Sequence, residues 1–171
     1  VSNSMRFDLV VNNLTLSAFI DKKITLLSDG EPWRPIINID DISNIIIQFI
    51  NLENKDIKYT DYNIGNKNEN YKVIDIANEV ERITNCKNIE IIADKSQDNR
   101  SYKVDFSRLE KTFKNFKFEW NLKKSIEHII LWLENNPKQR DLLRSKKYFR
   151  IKYLQYLIKN KKITKNFYPF D

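Results

Sequence analysis

Glycine is scarce: the 171 residues hold only Gly30 and Gly65. A phosphate-cradling loop and a dinucleotide-binding turn each need at least two glycines within a few residues, so neither is encoded. Cysteine is scarcer still. Cys86 stands alone, which excludes an internal disulfide framework and a multi-cysteine metal site. A reducing compartment, and so a cytoplasmic location, is the expectation. No run of 18 apolar residues is present, so no spanning segment and no membrane partner are expected. The opening residues lack the charged stretch and apolar run of a secretory signal. They begin at Val1 rather than Met, which reads as a fragment or a trimmed product. With one histidine, His128, and one cysteine, no metal ligand set is expected.

What is present suits a folded core. Hydrophobic residues make up 41% and aromatics 12% of the chain, which excludes intrinsic disorder. The formal charge is +7, unevenly spread. From Lys138 to Asp171 there are 11 Lys and Arg against two Asp, whereas residues 1–137 carry 19 basic and 21 acidic residues. The chain therefore divides into a nearly neutral lobe, 1–137, and a basic helical tail, 138–171. A nucleic-acid or acidic-surface role for the tail is the alternative to a solvated amphipathic helix. The three- and four-residue apolar spacing of Leu142–Ile158 favours the helix, so a nucleic-acid partner is disfavoured.

Helical spacing marks Asp8–Lys22 with Asp8 as cap, a helix capped by Asp40 or Asp41 and running through Phe49, then Val73–Ile83, Ser107–Phe113 behind Asp105, and Leu122–Leu133. In the second of these Ile42, Ile45, Ile46, Phe49 and Ile50 form one face. Short strands are expected at Ile24–Leu27, Trp33–Ile39, Tyr59–Ile64 and Ile89–Ile92, with Ser101–Val104 extended. Gly65 closes the third strand by permitting a tight turn. Alternating strands and helices indicate an α/β class.

Two stretches offer chemistry. In Asp29-Gly-Glu-Pro-Trp-Arg34-Pro-Ile-Ile-Asn-Ile-Asp40-Asp41 a strand bears an arginine, the side chain suited to bidentate phosphate or carboxylate recognition. In Gln97-Asp-Asn-Arg100-Ser-Tyr-Lys-Val-Asp105 a loop bears another. Either arginine also reads plainly as a surface charge. Were the two to converge from their distant loops, they would clamp a diphosphate.

These stretches, with Met5-Arg-Phe-Asp-Leu-Val-Val-Asn-Asn-Leu-Thr15, Tyr62-Asn-Ile-Gly65 and Tyr71-Lys-Val-Ile-Asp-Ile-Ala77, resemble in order and spacing the C-terminal, substrate-binding half of the NAD-dependent epimerase/dehydratase family. These are extended short-chain dehydrogenase/reductases acting on nucleotide sugars. The resemblance implies a Rossmann-type fold whose N-terminal dinucleotide-binding part is missing from this chain. It also implies a nucleoside-diphosphate sugar as ligand, and a homodimer in the complete enzyme. NAD or NADP would be held by the complete enzyme and not by this chain alone. Arg34 and Arg100 match positions that hold the diphosphate. Asp8 stands near a position where many members place an asparagine. A carboxylate there repels phosphate, so the role passes to Asn12, Asn13 or backbone N–H groups. Thr25 and Leu27 match the strand along the nucleotide base. The family's catalytic Tyr-x-x-x-Lys lies upstream of this lobe. Tyr148-Phe-Arg-Ile-Lys152 has that spacing but sits in the tail, so no catalytic residue is assigned and the chain is expected to be inactive alone. The alternatives are a non-enzymatic basic module and an inactive remnant of such an enzyme.

Overall fold

The computed structural model describes residues 5–57, 59–92, 100–140, 143 and 145–169. Helix α1 (Val10–Asp21) is the centre of the packing. Val11, Leu14, Thr15, Leu16 and Ala18 are all buried, and at about 100° per residue they occupy more than one side of the helix. A helix apolar around most of its girth must be surrounded. Here α3 (Val73–Thr84), α5 (Leu122–Asn135) and strand β1 (Ile24–Leu26) surround it. Ile76, Ala77 and Val80 of α3 and Leu122, Ile126, Ile129 and Leu133 of α5 complete the core, with Phe7, Ile24, Leu26, Cys86 and Leu143.

Left-handed residues end two of these helices: Lys22 (φ 54°) after α1 and Asn85 (φ 53°) after α3. Each turn feeds a strand. β1 pairs in parallel with β4 (Ile89–Ile91), Thr25 standing opposite Glu90. Parallel pairing needs a long crossover, supplied by the chain between them, which includes α2 (Ile39–Ile50) and α3. A second, antiparallel pair joins β2 (Trp33–Pro35) to β3 (Asn70–Lys72), with Arg34 opposite Tyr71. The remaining helices are α4 (Ser107–Thr112), α6 (Pro137–Arg140) and α7 (Arg150–Lys159).

Several expectations need correction. Asp8 does not cap α1: Leu9 holds that position, and the Asp8 carboxylate is taken instead by Arg6 at 2.8 and 2.9 Å. Neither Asp40 nor Asp41 caps α2. Asn38 does, accepting from the Asp40 N–H at 3.0 Å. On α2 only Ile45 among the five face residues is fully buried, and Ile46 and Ile50 are exposed. Residues 59–64 form no strand; Asn63 instead donates to the Asp105 carbonyl, and the sheet partner of β2 comes from Asn70–Lys72. The described part of the expected Leu142–Ile158 helix is not one helix: a short turn at Lys146–Tyr148 precedes α7. Phe7 N–H takes the Tyr148 carbonyl at 3.2 Å and the two rings pack edge to face, so the chain extends at Phe149 before α7 begins.

Gly65 serves close approach rather than turn geometry. A Cβ there would lie 2.4 Å from the buried ring of Phe106. Gly65→Ala is expected to destabilise the protein by about 1–3 kcal/mol, the cost of overpacking. The midpoint of urea unfolding checks this, and an unchanged midpoint would contradict the packing.

Candidate functional site

Residues 100–104 run beside β2 and β3. The Trp33 N–H donates to the Ser101 hydroxyl at 3.1 Å, and the Tyr102 N–H reaches the Trp33 carbonyl. Asn70 on β3 ties down the other end: its amide oxygen accepts from Val104 N–H at 3.0 Å and its NH2 donates to the Val104 carbonyl at 3.3 Å. Arg34 closes the seam. Its Nη1 donates to the Trp33 carbonyl at 2.8 Å and to the carbonyl of Arg100. The two arginines, 66 residues apart in sequence, are thereby neighbours in space.

Aromatic rings orient the cations on this seam. The Arg34 guanidinium lies 5.4 Å from the centre of the Tyr102 ring, and the Lys103 ammonium 3.6 Å from that of Trp33. Such pairs hold a cation by the ring's negative face while keeping its charge. Two backbone acceptors on Nη1 and a ring beside the guanidinium fix its plane. A fixed, charged fork is what bidentate anion recognition requires. The sequence reading missed Tyr102 and Asn70. The signal for Tyr102 was an aromatic residue two positions past Arg100.

Asn12 and Asn13 do not join this group. Their side-chain amides donate to the carbonyls of Arg6 at 2.8 Å and Phe7 at 2.9 Å, fastening the entry to α1. Asp8 is held by Arg6, which lowers its pKa through the hydrogen bond. Thr25 and Leu27 lie at the other sheet, Thr25 half-buried on β1 and Leu27 exposed just beyond it. Gln97, Asp98 and Asn99, which precede Arg100, lie outside the described residues.

A cavity of about 200 Å³ opens at the end of β2, lined by Pro35, Ile36, Ile37, Asn63, Ile64, Val104 and Phe106. Neither arginine lines it. Behind it a polar network braces the seam. Asp41, 1% exposed, accepts from the N–H groups of Glu119 at 3.0 Å and Trp120 at 3.1 Å. Glu69 accepts from the Leu122 N–H at 2.9 Å, at the start of α5, and from the Tyr71 hydroxyl at 3.3 Å. A void of about 10 Å³, one water in size, lies between Asp41 and Glu69 and is also lined by Asn38, Asn66, Asn121 and Ser125. Sequence alone did not mark either acid as buried.

Burial pushes the Glu69 carboxyl above the usual carboxylate range; the Leu122 and Tyr71 bonds oppose this and the Asp41 charge adds to it. Burial first, then the Glu69 charge, pushes the Tyr71 hydroxyl up to about 12. An acid whose folded pKa is raised holds its proton more readily folded than unfolded. Its contribution is best at pH below the unfolded value, and it diminishes as the pH climbs from there through the raised folded value. Glu69→Gln removes the titration. The stability of wild type relative to Glu69→Gln should therefore fall between about pH 4 and pH 8. Urea unfolding of both proteins at the two pH values checks this, and a constant difference would contradict it.

The remaining candidates sit in packing contacts. Cys86 is buried in the core. His128 stacks on Trp120 with centroids 5.0 Å apart, and burial lowers its pKa. Tyr148 lies in a 3-10 turn against Phe7 while Lys152 lies on α7 over Phe149, so the tail's Tyr-x-x-x-Lys is split between two elements. No group of three or more metal-ligating side chains gathers among the described residues. None of the described helices is long and apolar enough to cross a membrane.

No family model and no curated protein matches the sequence. Solved structures do match. L-threonine dehydrogenase from Phytophthora infestans superposes with TM-score 0.64 at 16% identity over 74% of this chain. dTDP-glucose 4,6-dehydratase from Bacillus anthracis, in complex with NAD, gives 0.61 at 18% over 78%. UDP-glucuronic acid 4-epimerase from Bacillus cereus, in complex with UDP-glucuronic acid and NAD, gives 0.60 at 19% over 76%. The chain spans 41% of the length of each. At these identities the likeness is one of fold: a mixed α/β lobe corresponding to part of a Rossmann-type extended short-chain dehydrogenase/reductase.

Proposed function

We infer that this chain is the part of an NAD-linked nucleotide-sugar epimerase or dehydratase that grips the nucleoside diphosphate. The observation that supports it most is the Arg34–Arg100 juxtaposition, built by a seam that joins two distant segments. The fold is shared with a dehydratase and an epimerase whose names specify nucleotide sugars, and also with a threonine dehydrogenase. The fold by itself thus leaves the substrate class open, and the paired arginines favour a diphosphate. A guanidinium seated on the backbone of a second arginine suits an ester carrying two adjacent negative phosphates, one for each cation.

Neither glycine of this chain makes a dinucleotide cradle. The space above each glycine is filled by protein, Ile74 over Gly30 and Phe106 over Gly65, so neither offers a backbone for a pyrophosphate to approach. In this reading the dinucleotide and the reacting groups belong to polypeptide beyond this chain. This lobe contributes binding energy remote from the reacting carbon, which orients the sugar. Residues that only hold and orient give no turnover alone.

The test is calorimetric titration of the chain with UDP, dTDP and GDP beside the matching monophosphates. A diphosphate bound at least tenfold more tightly than its monophosphate is expected. Equal affinities, or no binding of either, would contradict the reading.

A further inference from the structure

Helix α7 and the chain after it do not join the core. No residue of α7 is buried, and its main packing neighbour is the Lys146–Tyr148 turn. The apolar residues that pack against the core from this region are Tyr148 and Phe149, which precede the helix. The helix is nevertheless two-sided. At about 100° per residue, Tyr153, Leu157, Leu154, Ile158 and Ile151 fall on one arc of about 160°, with Lys152, Gln155 and Lys159 opposite. Ile151 is 68% exposed. Beyond the helix the chain folds back through an Ile163–Pro169 bridge, and at that bend Phe167 and Tyr168 are 61% and 71% exposed. Between Leu143 and Pro169 the sequence has nine Lys and Arg and no Asp or Glu.

We propose that this segment is a peripheral docking surface for an anionic lipid bilayer. A segment with nine basic and no acidic side chains favours an anionic partner. Exposed Ile151, Phe167 and Tyr168 add apolar groups among those charges, the combination that seats an amphipathic element in the headgroup region. Nucleic acid fits less well. Single strands bind by stacking on aromatic faces; those near the helix are taken, with Tyr153 stacked on Tyr156, Lys146 over Tyr156 and Lys152 over Phe149, which leaves Phe167 and Tyr168 at the bend. Ile151 offers a nucleic acid neither a stacking face nor a hydrogen bond. The sequence-based expectation of no membrane partner rested on the lack of a spanning segment and on reading the tail as a solvated amphipathic helix; peripheral docking needs no spanning segment and uses an amphipathic element.

The full chain is tested by co-sedimentation with vesicles of phosphatidylcholine alone and with about one-third phosphatidylserine. Binding to the anionic vesicles only, weakening with salt, is expected. Lys161→Ala, Lys162→Ala and Lys165→Ala combined should weaken it about 100-fold, near fivefold per charge. Phe167→Ala with Tyr168→Ala should weaken it at least fivefold while the thermal melt stays unchanged. Equal binding to both vesicles, no binding at low salt, or indifference to the Phe167 and Tyr168 changes would overturn the proposal. Binding of polyuridylate without binding of vesicles would overturn it in favour of nucleic acid.

Discussion

Asp41→Ala is expected to lower the stability of the protein by about 3 kcal/mol. The carboxylate accepts two backbone N–H groups, from Glu119 and Trp120, 78 and 79 residues further along the chain. Removal leaves both donors without that acceptor. A buried, unsatisfied polar group costs about 1–3 kcal/mol. A change of this size is a large fraction of the 5–15 kcal/mol typical of a whole domain. For a chain of this length it corresponds to a fall in melting temperature of about 10 °C. Asp41→Asn is expected to recover only part of the loss. Its amide oxygen accepts one N–H, while its NH2 group faces the other donor and cannot accept it. Thermal and urea unfolding of the three proteins provide the check. A loss below about 1 kcal/mol for alanine would show that the 119–120 segment is held by other means.

Arg34→Ala carries the largest expected effect on binding. Hydrogen bonds involving a charged group are worth about 1.5–3 kcal/mol. Affinity for a nucleoside diphosphate should therefore fall roughly 10- to 150-fold. Arg34→Lys should not restore it, since an ammonium is a point charge without the planar fork. The guanidinium also bonds the Trp33 and Arg100 carbonyls, so its loss loosens the seam as well. Asn70→Ala separates the two effects. It removes both bonds to Val104 from the same seam without touching either arginine. A fall of less than about threefold is expected for Asn70→Ala, well short of the Arg34 effect. An equal fall for both variants would assign Arg34 to seam-building and not to the ligand.

The sequence made the helices readable where apolar spacing and burial agree. Ile76, Ala77 and Val80 on α3 and Leu122, Ile126, Ile129 and Leu133 on α5 lie inside the segments that periodicity marks. It was less informative on α2, where Ile39, Ile46, Ile47 and Ile50 are exposed despite their type. Periodicity reports which side chains share a face, not whether anything covers it. Caps were misplaced for a related reason. Asp8, Asp40 and Asp41 all suit a helix start, yet Arg6 and distant backbone donors claimed Asp8 and Asp41, leaving α2 to Asn38. Strand pairing was the least readable feature. The partner of β2 proved to be Asn70–Lys72, a polar stretch with no alternation to announce it.

The same division holds at the site. Arg34 and Arg100 stood out because few residue types recognise a diphosphate and both occur in motif-like contexts. Their adjacency depends on Ser101, Tyr102 and Asn70, whose bonds along β2 and β3 appear only once the chain is folded. Glu69 and Asp41 were hidden for a stronger reason. A buried carboxylate is tolerated only where donors arrive to meet it, and these donors come from the approach to α5.

In the proposed site one diphosphate meets both arginines. The most direct measurement follows the Nε–Hε resonances of Arg34 and Arg100, assigned by single Arg→Lys variants, while a nucleoside diphosphate is titrated into the chain. Both resonances should shift along one saturation curve, with the same dissociation constant. A ligand that binds while either resonance stays still would contradict the account.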